Sequence, residues 1–243
     1  MYTILKGIFD FVFGSQLLQS VIDSTIGFRF NGWFLGIVGY RGLHMVREGD
    51  SCLIAGIYSE LTIQSFSKAV GISGQVIVVE ANPENVIRLT KACHSLKNVV
   101  ILNNALWRDK GEMEFLMSSK EKDQGYNRLS SNELQEFPEH IDDNPQTVKV
   151  STDTISNIIN DSEVRKVDHI NLTVNGAELQ VVENVNTILR DHPGVRIYIN
   201  SEVPDPAEST IEMLRKSGMK VYLSRWIRTV NKKISLVRIY AIG

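Results

Sequence analysis

From residue 51 onward, short β-branched runs alternate with amphipathic segments of helix length, and this alternation limits the fold more than any other feature of the chain. Residues 51–56, 75–80 (QVIVVE), 98–102, 167–174 and 195–201 read as strands. Residues 61–70, 83–96, 177–190 and 206–217 read as the helices between or after them. Asn82 has the chemistry of an N-cap with Pro83 at the first helical position, and Gly218 suits the end of the last helix. An extra strand is expected at 113–117, a short one at 148–150 and a short helix at 154–160, while the polar stretch 118–146 reads as loop. Strands joined through helices build parallel βαβ units with helices on both sheet faces. The last two runs, 220–226 and 235–242, have only the basic segment 228–233 between them and must pair antiparallel, because a parallel crossover needs more chain. The sequence therefore predicts an α/β, Rossmann-like doubly wound sheet, mostly parallel, with an antiparallel C-terminal hairpin.

A length of 243 residues accommodates one or two domains. The boundary is expected at 44/45, with a mainly helical extension over 1–44 and the α/β domain over 45–243. In residues 2–22, apolar positions 5, 8, 9, 12 and then 17, 18, 21, 22 recur at helical spacing. Lys6, Asp10, Ser15, Gln16 and Ser20 interrupt them, so the stretch does not reach the ~20 apolar residues of a membrane span. It carries no signal-peptide pattern, and a cytoplasmic location is expected. The stripe is expected to pack on the domain or on a second copy of the chain, which predicts a homo-oligomer; peripheral membrane contact through 2–22 is the alternative. A formal net charge of −2 argues against nucleic acid as a partner. Cys52 and Cys93 read as buried free thiols, and five His without i, i+4 pairing predict no metal site.

In an open α/β sheet, ligands bind beyond the carboxyl ends of the strands. The positions that matter are then Gly56, Glu80, Asn103, Asn104, Thr173 to Gly176, Ser201 and Glu202. Glu80 is the sharpest: an acid ending the second strand can accept both hydroxyls of an adenosine ribose, although the N-terminus of the following helix also satisfies a carboxylate there. The first strand-to-helix turn holds one glycine, Gly56, and neither GxGxxG nor GxxxxGK[ST] occurs, which disfavours a nicotinamide dinucleotide.

Several blocks in order carry a family resemblance: residues 48–54 (EGDSCLI), 76–89 (VIVVEANPENVIRL), 103–115 (NNALWRDKGEMEF), 148–159 (VKVSTDTISNII) and 167–182 (VDHINLTVNGAELQVV). Over roughly residues 45–202 the chain resembles the FkbM-type methyltransferases, a class I S-adenosylmethionine-dependent group that acts mostly on hydroxyls of sugars, polyketides and related molecules. The terminal hairpin agrees with the class I methyltransferase fold. The resemblance implies S-adenosylmethionine as cofactor, a small-molecule or glycan acceptor, and a cofactor-binding set of Gly56, Glu80, Asn82, Asn103 and Asn104. It places Gly56 at the methionine end, Glu80 on the ribose and Asn103 or Asn104 near the adenine. Asp153, Glu178 and Glu202 are the carboxylates it nominates to accept the acceptor's hydroxyl proton. The chain departs from the family at two strand tips. Ile54 stands where the D-x-G-A-N-x-G pattern has its Asp, and in the K-x-D-x-E-G-A-E block Thr173 replaces the Asp and Asn175 the first Glu. Two functions follow: an O-methyltransferase, or a catalytically degenerate methyltransferase-fold protein acting as a binding or partner subunit.

Overall fold

The computed structural model describes residues 42–56, 59–119, 125–134, 144–162, 164, 166–201, 204–228 and 234–243. Cα packing divides the chain into two units, Met1–His44 and Met45–Gly243, and the elements described here belong to the second. The expected helical stripe over residues 2–22, with the oligomer or membrane contact assigned to it, lies outside the described residues.

The first half of the domain is a right-twisting βαβαβ run. Strand β1 (Ser51–Ala55) leads into α1 (Glu60–Val70), β2 (Gln75–Glu80), α2 (Pro83–Cys93) and β3 (Val99–Asn103). Neighbouring strands pair in parallel, β1 with β2 and β2 with β3, in registers that put Ala55 beside Val79 and Glu80 beside Asn103. Helix α2 starts where the sequence indicates: the Asn82 side chain accepts from the backbone N–H of Glu84 and Asn85, and Pro83 occupies the first turn.

A small second sheet follows; the sequence indicated strands at 113–117 and 148–150 but not that they join two further strands in a sheet of their own. Strands β4 (Ala105–Leu106), β5 (Gly111–Met117), β6 (Arg128–Ser130) and β7 (Gln146–Asp153) are ordered β4-β7-β5-β6. Strand β6 lies inside the stretch expected to be loop, and β7 extends well beyond the expected 148–150. The polar alternation misled because these strands expose one face: β7 alternates exposed and buried residues only toward its end.

The chain then returns to the main sheet through α3 (Ile155–Asp161), β8 (His169–Leu172), α4 (Glu178–Val182), α5 (Val185–Asp191), β9 (Arg196–Ser201) and α6 (Pro204–Lys216), closing with β10 (Lys220–Arg228) and β11 (Ile234–Ile242). The expected single helix over 177–190 is broken in two. At the break, the Asn184 side chain donates to the Arg108 carbonyl at 3.1 Å, a tertiary bond that no local pattern announces. The sheet order is β10-β11-β9-β8-β1-β2-β3. Strand β11 inserts between β9 and β10 and runs antiparallel to both, so the two closing strands form the hairpin and β10 is parallel to the rest. This is the class I methyltransferase arrangement of a doubly wound sheet.

Burial explains the sequence pattern. β8 and β9 are buried at every position, as strands covered on both faces should be, including the polar His169, Asn171, Arg196, Asn200 and Ser201. Beneath the sheet's amino ends, Arg196 bonds Asp50 Oδ1 through Nη2 at 2.8 Å, the Met45 carbonyl through Nη1 at 2.8 Å and the Asp168 carbonyl through Nε at 3.2 Å. That cluster fixes the edge opposite the functional one. Among the described residues, no helix is long and apolar enough to cross a membrane.

Candidate functional site

The carboxyl ends of β1, β2, β3 and β8 converge on one cavity whose enclosed part measures about 60 Å³. Its floor is built by the sheet tips. Gly56 follows β1 with φ +70°, and its N–H donates to the Val79 carbonyl at 3.2 Å. A Cβ at this position would lie 1.8 Å from the Thr173 carbonyl oxygen, so the approach of the β1 and β8 tips requires glycine. Thr173 in turn donates its N–H to Ala55 at 3.1 Å, and its hydroxyl, buried against the cavity, has no hydrogen-bond partner.

Glu80 is 5% exposed and lines the same cavity. Its Oε1 accepts the Asn82 N–H at 2.8 Å. Burial pushes its carboxyl above the ordinary range, partly offset by the Asn82 N–H and the Asn85 side chain. A carboxylate has about four lone-pair sites, so this one keeps acceptor capacity toward the cavity. Asn104 also lines the cavity, beside Ala81, Ala105 and Leu106.

Two of the other expected cofactor contacts serve the backbone instead. Asn82 holds the start of α2, as described above. Asn103 donates its Nδ2 to the carbonyls of Glu80 at 3.0 Å and Ala81 at 3.1 Å, which braces the tip that carries Glu80. Neither side chain is among the lining residues of the cavity.

The nominated proton acceptors are also placed elsewhere. Asp153, at the end of β7, accepts from the Thr154 N–H at 2.8 Å and Asn157 Nδ2 at 2.7 Å, with Lys110 Nζ at 3.4 Å. Glu178 is fully buried and receives the Gly176 N–H at 3.1 and 3.2 Å on its two oxygens. Neither lines the cavity, and Glu202 lies outside the described residues.

The second sheet supplies the roof, through Phe115, Arg128 and Leu129 together with Gly125 and Asn127. Asn175 ties roof to floor. It sits after β8 in the left-handed region at φ +48°, and its Nδ2 donates to the carbonyls of Gly125 at 2.9 Å and Asn127 at 2.7 Å. Asn is among the residues that tolerate this backbone best. Sequence reasoning placed Asn175 among the strand-end positions and noted it as a departure from the family pattern, but did not find Asn85, Asn127 or Arg128. The i, i+3 spacing from the cap could have suggested Asn85 as inward-facing; nothing local pointed to Arg128, because its strand was hidden in a polar stretch. Glu80 and Arg128 are the only ionisable groups among the described residues that line the cavity, and the remaining polar ones are four Asn side chains and Thr173.

Across residues 47–220 the sequence matches the family model described as Methyltransferase FkbM domain. The chain belongs to the FkbM methyltransferase family. It is accordingly an S-adenosylmethionine-dependent transferase, and the site can be tested against that cofactor. The buried Glu80 carboxylate, with acceptor capacity left at the tip of β2, fits a ribose diol, and Ala81, Asn104 and Leu106 offer apolar and amide surface for a base. Ile54, which stands where the family pattern has an Asp, is fully buried in the sheet and offers no charge to the methionine end.

No curated protein sequence matches this FkbM methyltransferase significantly. Solved structures similar to it include precorrin-6y C5,15-methyltransferase from Geobacter metallireducens GS-15, at 12% identity and TM-score 0.46, covering 83% of this chain and 86% of that one. Fibrillarin from Aeropyrum pernix, bound to S-adenosyl-L-methionine, is similar at 16% identity and TM-score 0.47, covering 80% and 67%. A SAM-dependent O-methyltransferase from Thermotoga maritima is similar at 15% identity and TM-score 0.46, covering 92% and 71%.

Proposed function

We propose that this FkbM methyltransferase methylates a hydroxyl oxygen on a sugar, glycan or polyketide-like small molecule. The observation that carries the reading is the lining of the strand-tip cavity: the buried Glu80 carboxylate and Arg128 beside four Asn side chains and the Thr173 hydroxyl. Polyhydroxylated ligands are recognised by convergent neutral donors and acceptors of this kind, set in apolar walls. S-adenosylmethionine, when bound, supplies an electrophilic methyl on a sulfonium whose departure leaves a neutral thioether. The chain's own residues then have three tasks. Glu80 accepts the ribose hydroxyls, and Asn104 borders the adenine. Gly56 and the Thr173 backbone form the floor under the reacting end. The roof segment Gly125–Leu129 and Asn175 face the acceptor and exclude water.

Alignment of the acceptor oxygen with the methyl contributes more to such a displacement than any single group. Asp153 and Glu178 accept N–H donors and do not line the cavity, so of the three carboxylates that the family resemblance nominates to receive the hydroxyl proton, Glu202, which lies outside the described residues, is the one that remains.

Calorimetric titration with S-adenosylmethionine, followed by transfer of its labelled methyl to a panel of sugars and polyketides, tests the reading. Saturable binding and label on an acceptor oxygen are expected. Absence of binding at millimolar cofactor would overturn it and leave a methyltransferase fold kept as a partner subunit, the reading favoured by the loss of charge at Ile54 and Thr173.

A further inference from the structure

We infer that Asn200 sets acceptor specificity in this chain: its amide, together with the Thr173 hydroxyl, binds a second hydroxyl of the acceptor, next to the one that is methylated. The inference rests on the proposed O-methylation at the strand-tip cavity.

Two observations carry it. The first is register. Ala55 pairs with Val79 on one side and with Leu172 on the other, and Leu172 pairs with Ile199. One residue further along these parallel strands, Glu80, Gly56, Thr173 and Asn200 therefore form a row across the carboxyl tips, all facing one side of the sheet. Glu80, Gly56 and Thr173 line the cavity. Asn200 is next on the row, one strand spacing or about 5 Å beyond Thr173, and about 14 Å from Glu80. With the ribose on Glu80 and the reacting end over Gly56, the Asn200 end of the row is the acceptor's side.

The second observation is unmet hydrogen bonding. Asn200 is 1% exposed, and neither its Oδ1 nor its Nδ2 has a hydrogen-bond partner among the described residues. Arg238, opposite it on β11, does not bond it. The neighbouring Thr173 hydroxyl is likewise buried and without a partner. Buried polar groups are normally paired, so two adjacent open ones mark a place where a ligand completes the set. Their chemistry selects the ligand. An amide both donates and accepts, and so does a hydroxyl. An ammonium would leave the amide N–H unmet, and a carboxylate would leave the amide carbonyl unmet. At a spacing of about 5 Å, one ligand hydroxyl reaches both Thr173 Oγ1 and the Asn200 amide.

Two measurements on the full chain test this. The first needs no acceptor. Asn200→Ala and Thr173→Val remove unpartnered polar groups without adding bulk, so both should melt close to the wild-type temperature. A clearly lower melting temperature for both would show that these groups have partners inside the fold, and would overturn the assignment. The second follows transfer of labelled methyl from S-adenosylmethionine to the methyl glycosides of glucose, galactose, mannose and rhamnose. For a glycoside that is methylated, kcat/KM is compared with that of derivatives deoxygenated at each hydroxyl next to the methylated one. The wild type should lose roughly tenfold or more on one derivative, because the buried groups are then left unpaired. Asn200→Ala should lose a similar factor on the parent glycoside and little more on that derivative. Equal losses on parent and derivative, or a wild type indifferent to the missing hydroxyl, overturn the subsite. Transfer to a polyketide with an isolated hydroxyl, and to none of the glycosides, keeps the proposed O-methylation and overturns the subsite. Transfer to no acceptor overturns both.

Discussion

Replacing Glu80 by Gln removes one charge and almost no volume at the tip of β2. In the structure this carboxyl is 5% exposed, accepts the Asn82 N–H at 2.8 Å, and has its pKa raised above the ordinary 4.5 chiefly by burial. A Gln carbonyl can still accept from Asn82, so the fold retains that bond. The sign of the pH effect follows from the raised folded-state pKa. The stability contributed by this group is fully present below the unfolded value and is lost as pH rises through the higher folded value. At neutral pH the wild type therefore carries a burial penalty that the amide lacks. Glu80→Gln should melt at the same temperature or higher at pH 7, with the difference shrinking toward pH 4. Binding should move the other way. In the proposed binding mode two ribose hydroxyls donate to the carboxylate, and charge-assisted hydrogen bonds are worth about 1.5–3 kcal/mol, so the variant should bind S-adenosylhomocysteine about ten- to a hundredfold more weakly. Wild-type affinity should fall on acidification, beginning at a higher pH than an exposed Glu would give, while the variant shows no such step. Calorimetry and thermal melts across pH 4–8 provide both readouts. Equal affinity of the two proteins, or a variant that melts well below the wild type at neutral pH, would refute the reasoning.

Gly56→Ala should cost at least ~3 kcal/mol in urea unfolding, because the new Cβ meets the Thr173 carbonyl at 1.8 Å at a φ of +70°. A variant of wild-type stability would show that the β1 and β8 tips are not in contact. Asn175→Ala should lose about 2 kcal/mol, through two hydrogen bonds and a left-handed backbone, whereas Asn175→Gly relieves the backbone part and should lose less. Arg196→Met strands the buried Asp50 carboxylate 2.8 Å from its lost partner and should cost ~3–5 kcal/mol. Combined with Asp50→Asn, the loss should be clearly smaller than the sum of the single losses, as a double-mutant cycle would show.

The sequence by itself determined the main sheet. Strands 75–80 and 195–201 are apolar enough to be buried on both faces, and the helices between strands leave little choice but parallel pairing. It also determined the closing hairpin, through a connection too short for a crossover, and the start of α2, through a cap whose hydrogen bonds are local. Glu80, Gly56 and Asn104 could be named as cavity residues because strand-end position is itself readable from periodicity. Tertiary structure decided what local pattern does not encode. That β11 inserts between β9 and β10 is a choice among edges, all equally compatible with the same alternation. The second sheet exposes one face, so β6 read as polar loop and only parts of β5 and β7 could be named as strands, and Arg128 went unseen with β6. Asn82 and Asn103 carry the same amide as Asn104, yet the Asn82 Oδ1 accepts at the α2 start and the Asn103 Nδ2 donates to the β2 tip, which depends on where neighbouring backbones run. Asp153 and Glu178 stayed acids on paper and became acceptors for N–H groups in the fold. A side chain's chemical type is written in the sequence; which of its lone pairs remains for a ligand is settled only when every nearby backbone group has found its partner.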